Sequence, residues 1–316
     1  MQVLVTGGAG FIGSSIVRRL ISLGIRPIVL DNFATGKRAN IDNLLNDIIF
    51  IEGDIRDKTL TEKVMDGVDA VIHQAAVPSV PLSVMDPFGS TDVNLNGTLT
   101  VLDAARLCRV KRVVFASSSS VYGNADVESI SELQPTSPVS PYAAAKLSSE
   151  HLLEAFHAAY GLETVALRYF NVYGPRQDET GYYSAVIPKF ISAMSRNEQP
   201  TVFGDGLQSR DFVYIEDVVQ ANLRAAGIHY GETPQGAFGS HVNIATQNSY
   251  SLLELIDIIN SELGTNIEPK FEDTRLGDVR HSKAIIDKAR ELLDFEPEVT
   301  FRDGIRKTIA WYRDNQ

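Results

Sequence analysis

The chain has 316 residues, enough for one large domain or two unequal ones, and its 44% hydrophobic and 22% charged content excludes a disordered chain. A formal net charge of -11 with no long basic run excludes nucleic acid as the expected partner. The single cysteine, Cys108, excludes an internal disulfide and argues against a structural metal. With no apolar run of transmembrane length and no basic leader, it predicts a reducing, cytoplasmic setting away from membranes.

Residues 2–6 read as a short buried strand, followed by a glycine-rich turn and an amphipathic helix through residue 23. A second strand at 27–30 ends on Asp31. Strands at 48–52 and 70–73 flank a short helix near 59–65. Helical periodicity runs from about 90 to 107, and a fifth strand follows at 111–116. Strands alternating with helices of this size predict a parallel sheet covered on both faces. A helix from Tyr142 to about residue 159 and a strand at 164–168 continue the pattern.

The texture then changes. Residues 169–183 are rich in Tyr, Gly, Pro and Asp, and the stretch is too long for a simple connector, which marks a binding loop. Helices near 185–196, 217–227, 252–263, 283–293 and 302–313, with strand pieces near 202 and 212, suggest a smaller lobe closing over the first. The expected division is therefore 1–170 and 171–316, with some chain crossing back to the first sheet.

Gly7, Gly10 and Gly13 lie between the first strand and its helix. Glycines there allow a tight turn and close backbone approach, and the helix N-terminus beyond them faces a pyrophosphate. Asp31 can accept hydrogen bonds from both ribose hydroxyls and repels a 2′-phosphate, which favours NAD over NADP. Asp54, in Gly53-Asp54-Ile55 at the end of the third strand, is placed to hold the adenine amine.

Tyr142 and Lys146 stand one helical turn apart, so they share a face. The ammonium is expected to favour the phenolate, lowering the tyrosine pKa so that it moves protons near neutral pH. Such a pair alone also describes an ordinary half-exposed helix face. The glycine turn and the serine-rich strand end at 117–120 supply the chemical context.

Together, Thr6-Gly-Gly-Ala-Gly-Phe-Ile-Gly13, His73-Gln-Ala-Ala76, Ser117-Ser-Ser-Ser-Val-Tyr-Gly123, Tyr142-x-x-x-Lys146 and Arg168-Tyr-Phe-Asn-Val-Tyr-Gly-Pro175 carry a family resemblance. Over essentially all 316 residues the chain resembles the extended short-chain dehydrogenase/reductases of the nucleotide-sugar epimerase/dehydratase family, in particular UDP-N-acetylglucosamine and UDP-glucose 4-epimerases. The resemblance implies an α/β fold, a Rossmann-type doubly wound parallel sheet with a smaller mixed α/β substrate-binding lobe. It implies an NAD site formed by Gly7, Gly10, Phe11, Ile12, Gly13, Asp31, Asn32, Thr35, Gly36, Asp54, Ile55, Gln74, Ala75, Ala76, Asn94, Tyr142, Lys146 and Tyr169.

By the same resemblance, Tyr142 takes the proton of the sugar C4 hydroxyl while the C4 hydride passes to NAD. Lys146 holds the nicotinamide ribose and stabilises the phenolate. Ser118 bonds the same oxygen and Ser119 is a second contact; as strand-end residues, both would equally cap backbone groups. The similar 4,6-dehydratases carry an Asp-Glu pair at the positions of Ser119 and Ser120. Uronate decarboxylases generally place a glutamate at the position of Ser120. Serine supplies no acid or base of comparable strength, so the reaction is expected to stop at the ketone and return the hydride, inverting C4.

For the nucleotide sugar, the resemblance implies that Arg210 and Arg275 grip the diphosphate, with Asn171 contacting it. Thr201 and Phe203 frame the uracil, Asp278 holds its ribose, and Ser79 and Val186 complete the lining. Ser282 stands where glucose-restricted epimerases place a bulky tyrosine beside C2, so it leaves room for an N-acetyl group; it would equally cap the helix expected after it. The expected substrates are UDP-N-acetylglucosamine/UDP-N-acetylgalactosamine and UDP-glucose/UDP-galactose. Two alternatives are a UDP-glucuronate 4-epimerase, with Arg176 or Lys189 meeting the C6 carboxylate, and a catalytically silent NAD-binding regulator. The family also implies a homodimer joined by the helices at 90–107 and 142–159, whose apolar positions could instead face the chain's own sheet.

Overall fold

The aliphatic runs of the first half form strands, and each is followed by a helix that covers it. A computed structural model describes residues 1–125, 127–179, 185–274 and 280–315. The first half contains β1 (Val3–Thr6), α1 (Phe11–Ser22), β2 (Ile28–Asp31), β3 (Ile49–Glu52), α2 (Lys58–Met65), β4 (Ala70–His73), α3 (Val80–Met85), α4 (Pro87–Thr91), α5 (Thr98–Leu107), β5 (Arg112–Ser118), α6 (Pro141–Tyr160) and β6 (Glu163–Tyr169). The second adds β7 (Asn171–Tyr173), α7 (Val186–Ser195), β8 (Thr201–Phe203), β9 (Ser209–Arg210), β10 (Phe212–Tyr214), α8 (Ile215–Ala226), β11 (Ser240–Ile244), β12 (Tyr250–Ser251), α9 (Leu252–Leu263), β13 (Lys270–Glu272), β14 (His281–Ser282), α10 (Asp287–Leu293) and α11 (Phe301–Asp314).

Seven strands make the main sheet in the order β3-β2-β1-β4-β5-β6-β11, and every neighbouring pair is parallel. Successive residues of a strand point to opposite faces. Leu4, Val71 and Phe115 therefore pack under α2, α5 and α6. Val3, Val5 and Val114 meet α1 and α8 on the other face. The order reverses between β1 and β4, and a crevice opens at the carboxyl ends of the strands on either side of such a switch point.

Beyond short added elements such as α3 and β7, three larger features depart from the sequence reading. β11 was not expected as a strand, yet it pairs with β6 along its whole length and closes the sheet. It carries the second half back onto the first, as does α8, which lies against α1 and the sheet. The helix expected over 90–107 begins earlier and contains a π-helical stretch, Asp92–Gly97, between α4 and α5. The wider turns accompany side-chain bonds: the Asn94 carbonyl accepts from the hydroxyls of Thr98, one turn on, at 2.7 Å, and of Ser149 on α6, at 3.1 Å. Finally, the helix expected over 283–293 starts only at Asp287, because residues 283–285 run extended beside Ile130.

The long helix α6 matches expectation, and its ends are encoded locally. Ser140 caps it by accepting from the Ala143 amide, and Pro141 occupies the first turn. Gly161, at φ 70°, ends it in the left-handed conformation that glycine adopts without strain.

Candidate active site

The glycine turn packs against the chain leaving β4. A Cβ on Gly7 would sit 2.6 Å from the Ala75 nitrogen, and one on Gly13 would collide with the Gly7 carbonyl oxygen. Gly7 also has φ 69°, so side chains are excluded on both grounds. Gly10 is the N-cap of α1 and offers no capping side chain, which leaves the first-turn amides available to an anion. At the end of β2, the buried Asp31 accepts from the amides of Ala9 and Phe33, at 2.9 and 2.8 Å. Burial pushes its carboxyl up, opposed by those two amides. Gly36 lies so close that a Cβ would be 3.0 Å from its Oδ1.

Asp54 ends the next strand's loop with its carboxylate clasped by Arg56, at 2.7 and 2.9 Å, and held by Asn32 at 3.0 Å. The hydrogen bonds from Arg56 hold it down at about 2. Ile55 is buried beneath it, and Thr35 is exposed on the opposite rim. A backbone cradle, an uncapped helix end and a buried acid at the end of the neighbouring strand fit a dinucleotide with unphosphorylated ribose.

Some residues assigned to the cofactor serve first as supports. The Asn94 side chain bonds both backbone groups of Val77, at 2.8 and 3.2 Å, and so shapes the loop after β4. Gln74 donates to the Tyr169 hydroxyl and to Asn222, both at 3.0 Å, and Tyr169 donates to Asn222. Phe11, Ile12, Ala75 and Ala76 are half-buried along the same edge.

The catalytic candidates meet along the seam between β5 and α6. The Ser118 hydroxyl faces the Tyr142 phenol closely enough to lower its proton affinity. Lys146 is buried and donates to the Ala116 carbonyl at 2.7 Å; its Nζ lies 5.8 Å from the centre of the Tyr142 ring. Ser118 also accepts from the Ser120 amide at 3.1 Å, so the capping role and the tyrosine contact coexist. Ser119 and Ser120 begin a short 3-10 turn and are half-buried.

The expected lowering of the Tyr142 pKa is reversed. Burial raises it, and only the Ser118 hydroxyl opposes that rise. The cation meant to lower it is itself weakened: burial draws Lys146 down to about 7, with Glu150 acting upward. His73 lies in the same buried layer between the hydroxyls of Thr6 and Thr98, at 2.6 and 3.1 Å. Burial, then Lys146, holds it at about 3, so it is a neutral support.

In the second lobe, β9 is flanked by β12 and β14, which places Arg210 and Ser282 in register as pairing partners. Ser282 therefore does not cap a helix; α10 begins five residues later with Ile286 at its N-cap. Chain segments 283–285 and Ile130 exchange backbone hydrogen bonds of 2.8 Å, which ties the Ser282 strand to the loop following Ser118–Tyr122. Thr201 and Phe203 lie on β8, paired with β13, and Val186 opens α7. Asn171 directs its amide to the Asp211 carbonyl at 3.1 Å. Ser79 caps α3 by accepting from Leu82. Arg275, Asp278 and the end of the binding loop, residues 180–184, lie outside the described residues. Arg176 turns away from the role considered for it. Its guanidinium donates to Ser15 of α1 at 3.1 Å, in a cavity that includes none of Ser118, Tyr142 and Lys146.

Sequence reasoning missed Glu150. It follows Lys146 by four residues, so the same helical spacing that joined Tyr142 to Lys146 could have found it. Its partners, Ser117 and Arg168, become visible only in the fold.

Residues 3–245 match the model of the NAD dependent epimerase/dehydratase family. The chain is 39% identical over 318 residues to the UDP-glucose 4-epimerase of Mycolicibacterium smegmatis, with 99% of each covered. A solved UDP-glucose 4-epimerase from Thermotoga maritima, with UDP-glucose, is similar at a TM-score of 0.93 and 38% identity, covering 100% of this chain and 99% of that one. The UDP-N-acetylglucosamine 4-epimerase from Methanobrevibacter ruminantium M1, in complex with UDP-N-acetylmuramic acid, has a TM-score of 0.93 and 40% identity over the same shares.

Proposed function

The chain belongs to the NAD-dependent epimerase/dehydratase family, and we propose that it is a 4-epimerase of UDP-sugars working through a transient 4-keto sugar. The observation that carries this reading is the seam of Ser118, Tyr142 and Lys146 beside the dinucleotide cradle, with Ser119 and Ser120 where water elimination would need an acid and a base. Neither serine titrates near neutral pH, so nothing at those positions expels water from C5 and C6.

In this reading Gly7, Gly10, Gly13 and Asp31 hold NAD, with Lys146 at its nicotinamide ribose. Bound NAD supplies a hydride acceptor and a positively charged ring. Tyr142 accepts the C4 hydroxyl proton, Ser118 steadies the oxygen, and Lys146 adds the positive charge that a buried phenolate requires. When the ketone presents its other face, the same tyrosine returns the proton and C4 is inverted. Residues 171–316 hold the UDP-sugar, with Arg210 at the diphosphate and Ser282 beside the C2 substituent, which admits an N-acetyl group as well as a hydroxyl. The lone, half-buried thiol of Cys108 supports a cytoplasmic setting; no helix among the described residues is long and apolar enough to cross a membrane.

The reading is tested by Tyr142→Phe. The variant is expected to keep bound NAD and lose interconversion of C4 epimers; full turnover without the phenol would remove the assigned base.

A further inference from the structure

Three consecutive residues of β5 engage three residues of α6 spaced four apart. Ser118 meets Tyr142, the Ala116 carbonyl accepts from Lys146, and Ser117 donates to Glu150. Only the first two contacts belong to the reaction as derived above. The third is buried as deeply: Ser117, Glu150 and Arg168 are 3%, 1% and 2% exposed. Arg168 of β6 donates to Glu150 from Nε at 2.9 and 3.2 Å and from its terminal nitrogen at 2.6 Å. Its other terminal nitrogen donates to the Tyr122 hydroxyl at 2.8 Å, and that hydroxyl donates to Asn243 of β11 at 2.7 Å.

A buried ion pair is seldom a net source of stability, because desolvating two charges offsets most of their attraction. This one lies one helical turn beyond Lys146 and is aimed by groups from β5 and β6. Two further aromatic or basic groups face Lys146, Phe115 from β5, 4.6 Å from Nζ, and the neutral His73 from β4. Tyr142 faces it from its own helix. Among the described titratable groups around Lys146, Glu150 is the one whose charge favours the ammonium, against the larger effect of burial.

We propose that Glu150 is a positioning residue of the epimerase, its carboxylate aimed by Arg168 and Ser117 to serve as the counter-charge of Lys146 and to fix α6 on β5. This rests on the epimerase reading for its kinetic consequence, although the effect on Lys146 does not depend on which sugar is used. Removing the carboxylate lets Lys146 lose its proton at lower pH, so the fraction holding cofactor and phenolate falls on the alkaline side.

The test is the pH profile of turnover for the wild type, Glu150→Gln and Glu150→Asp, with NAD affinity measured by calorimetry over the same range. Glu150→Gln is expected to move the alkaline limb down by about one pH unit in both measurements. Glu150→Asp, which retains the charge, should keep the wild-type limb. Because Gln leaves Arg168 without its counter-ion, Glu150→Gln with Arg168→Met is made beside it; the pair is expected to fold and to shift the limb in the same direction by less. An unmoved limb in folded variants, with only a lower melting temperature, would make the ion pair merely structural and overturn the proposal. Failure of both the single and the paired variant to fold would overturn it too. A wild type inert toward every UDP-sugar would count against the epimerase reading, whereas the calorimetric limb would still decide the role of Glu150.

Discussion

Tyr142 presents a chemical problem that its neighbours solve. Its phenol is pushed up by burial, so in the proposed reaction it serves as a base only beside positive charge. Lys146 is the protein's own source, and the NAD ring is the other. Tyr142→Phe is expected to lower turnover by about 10²- to 10⁴-fold, the usual range for a positioned acid-base group, with NAD retained when the denatured protein is analysed for released cofactor. Ser282→Tyr places bulk beside C2; it should abolish turnover of UDP-N-acetylglucosamine and preserve that of UDP-glucose, as competition assays would show. At this scale the sequence was legible where chemistry depends on local spacing. Glycines three apart, and a tyrosine and lysine one turn apart, keep their relation whatever the rest of the fold does. What it hid was long-range: the proton affinity of Tyr142 depends on burial, and the partners of Glu150 lie 33 and 18 residues away.

Among the elements, two buried aspartates show how the second lobe is fixed. Asp211 lies between β9 and β10. It accepts from the amide and hydroxyl of Thr246, both at 2.8 Å, and from the Ala284 amide at 3.1 Å. It thus latches the Arg210 strand to the segment following Ser282. Asp211→Ala is expected to cost about 2 to 4 kcal/mol, and to raise KM for the UDP-sugar more than it lowers kcat. Denaturant unfolding and steady-state kinetics would check the two effects. Asp217, in the first turn of α8, accepts from the Glu298 amide with Oδ1 at 2.9 Å, and the Val299 amide also acts on the carboxyl, while Oδ2 is buried with no hydrogen-bond partner within 3.5 Å among the described residues. Burial pushes it up to about 6. A carboxyl raised on folding contributes stability that is complete below its ordinary pKa near 4 and is lost as pH rises through 6. Asp217→Asn should therefore raise the melting temperature by a few degrees at pH 8 and give no advantage at pH 3.5. An advantage growing toward low pH would reverse the assignment. The strand β11 was illegible for a related reason: Ser240–Ile244 is short and has mixed polarity, and its identity as a strand comes from pairing with β6.

For the whole molecule, the sheet and its covering helices account for one surface but leave another apolar. Val84, Phe88, Leu99 and Leu107, on α3 to α5, are 63%, 89%, 41% and 50% exposed. Part of the apolar face of the helices for which the family resemblance implied a dimer does pack inward, with Val101, Leu102 and Ala105 under the sheet. We propose that a second copy of the chain covers the exposed remainder. Phe88→Asp is expected to shift a dimer toward the 34.7 kDa monomer in sedimentation experiments; an unchanged mass distribution would place any interface elsewhere. The central claim concerns the reaction itself, and the most direct measurement is proton NMR of the protein with UDP-N-acetylglucosamine and, separately, with UDP-glucose. The account predicts the anomeric signals of the C4 epimer from both, with no net change in NAD. Products lacking water, or no new anomeric signal from either sugar, would contradict it.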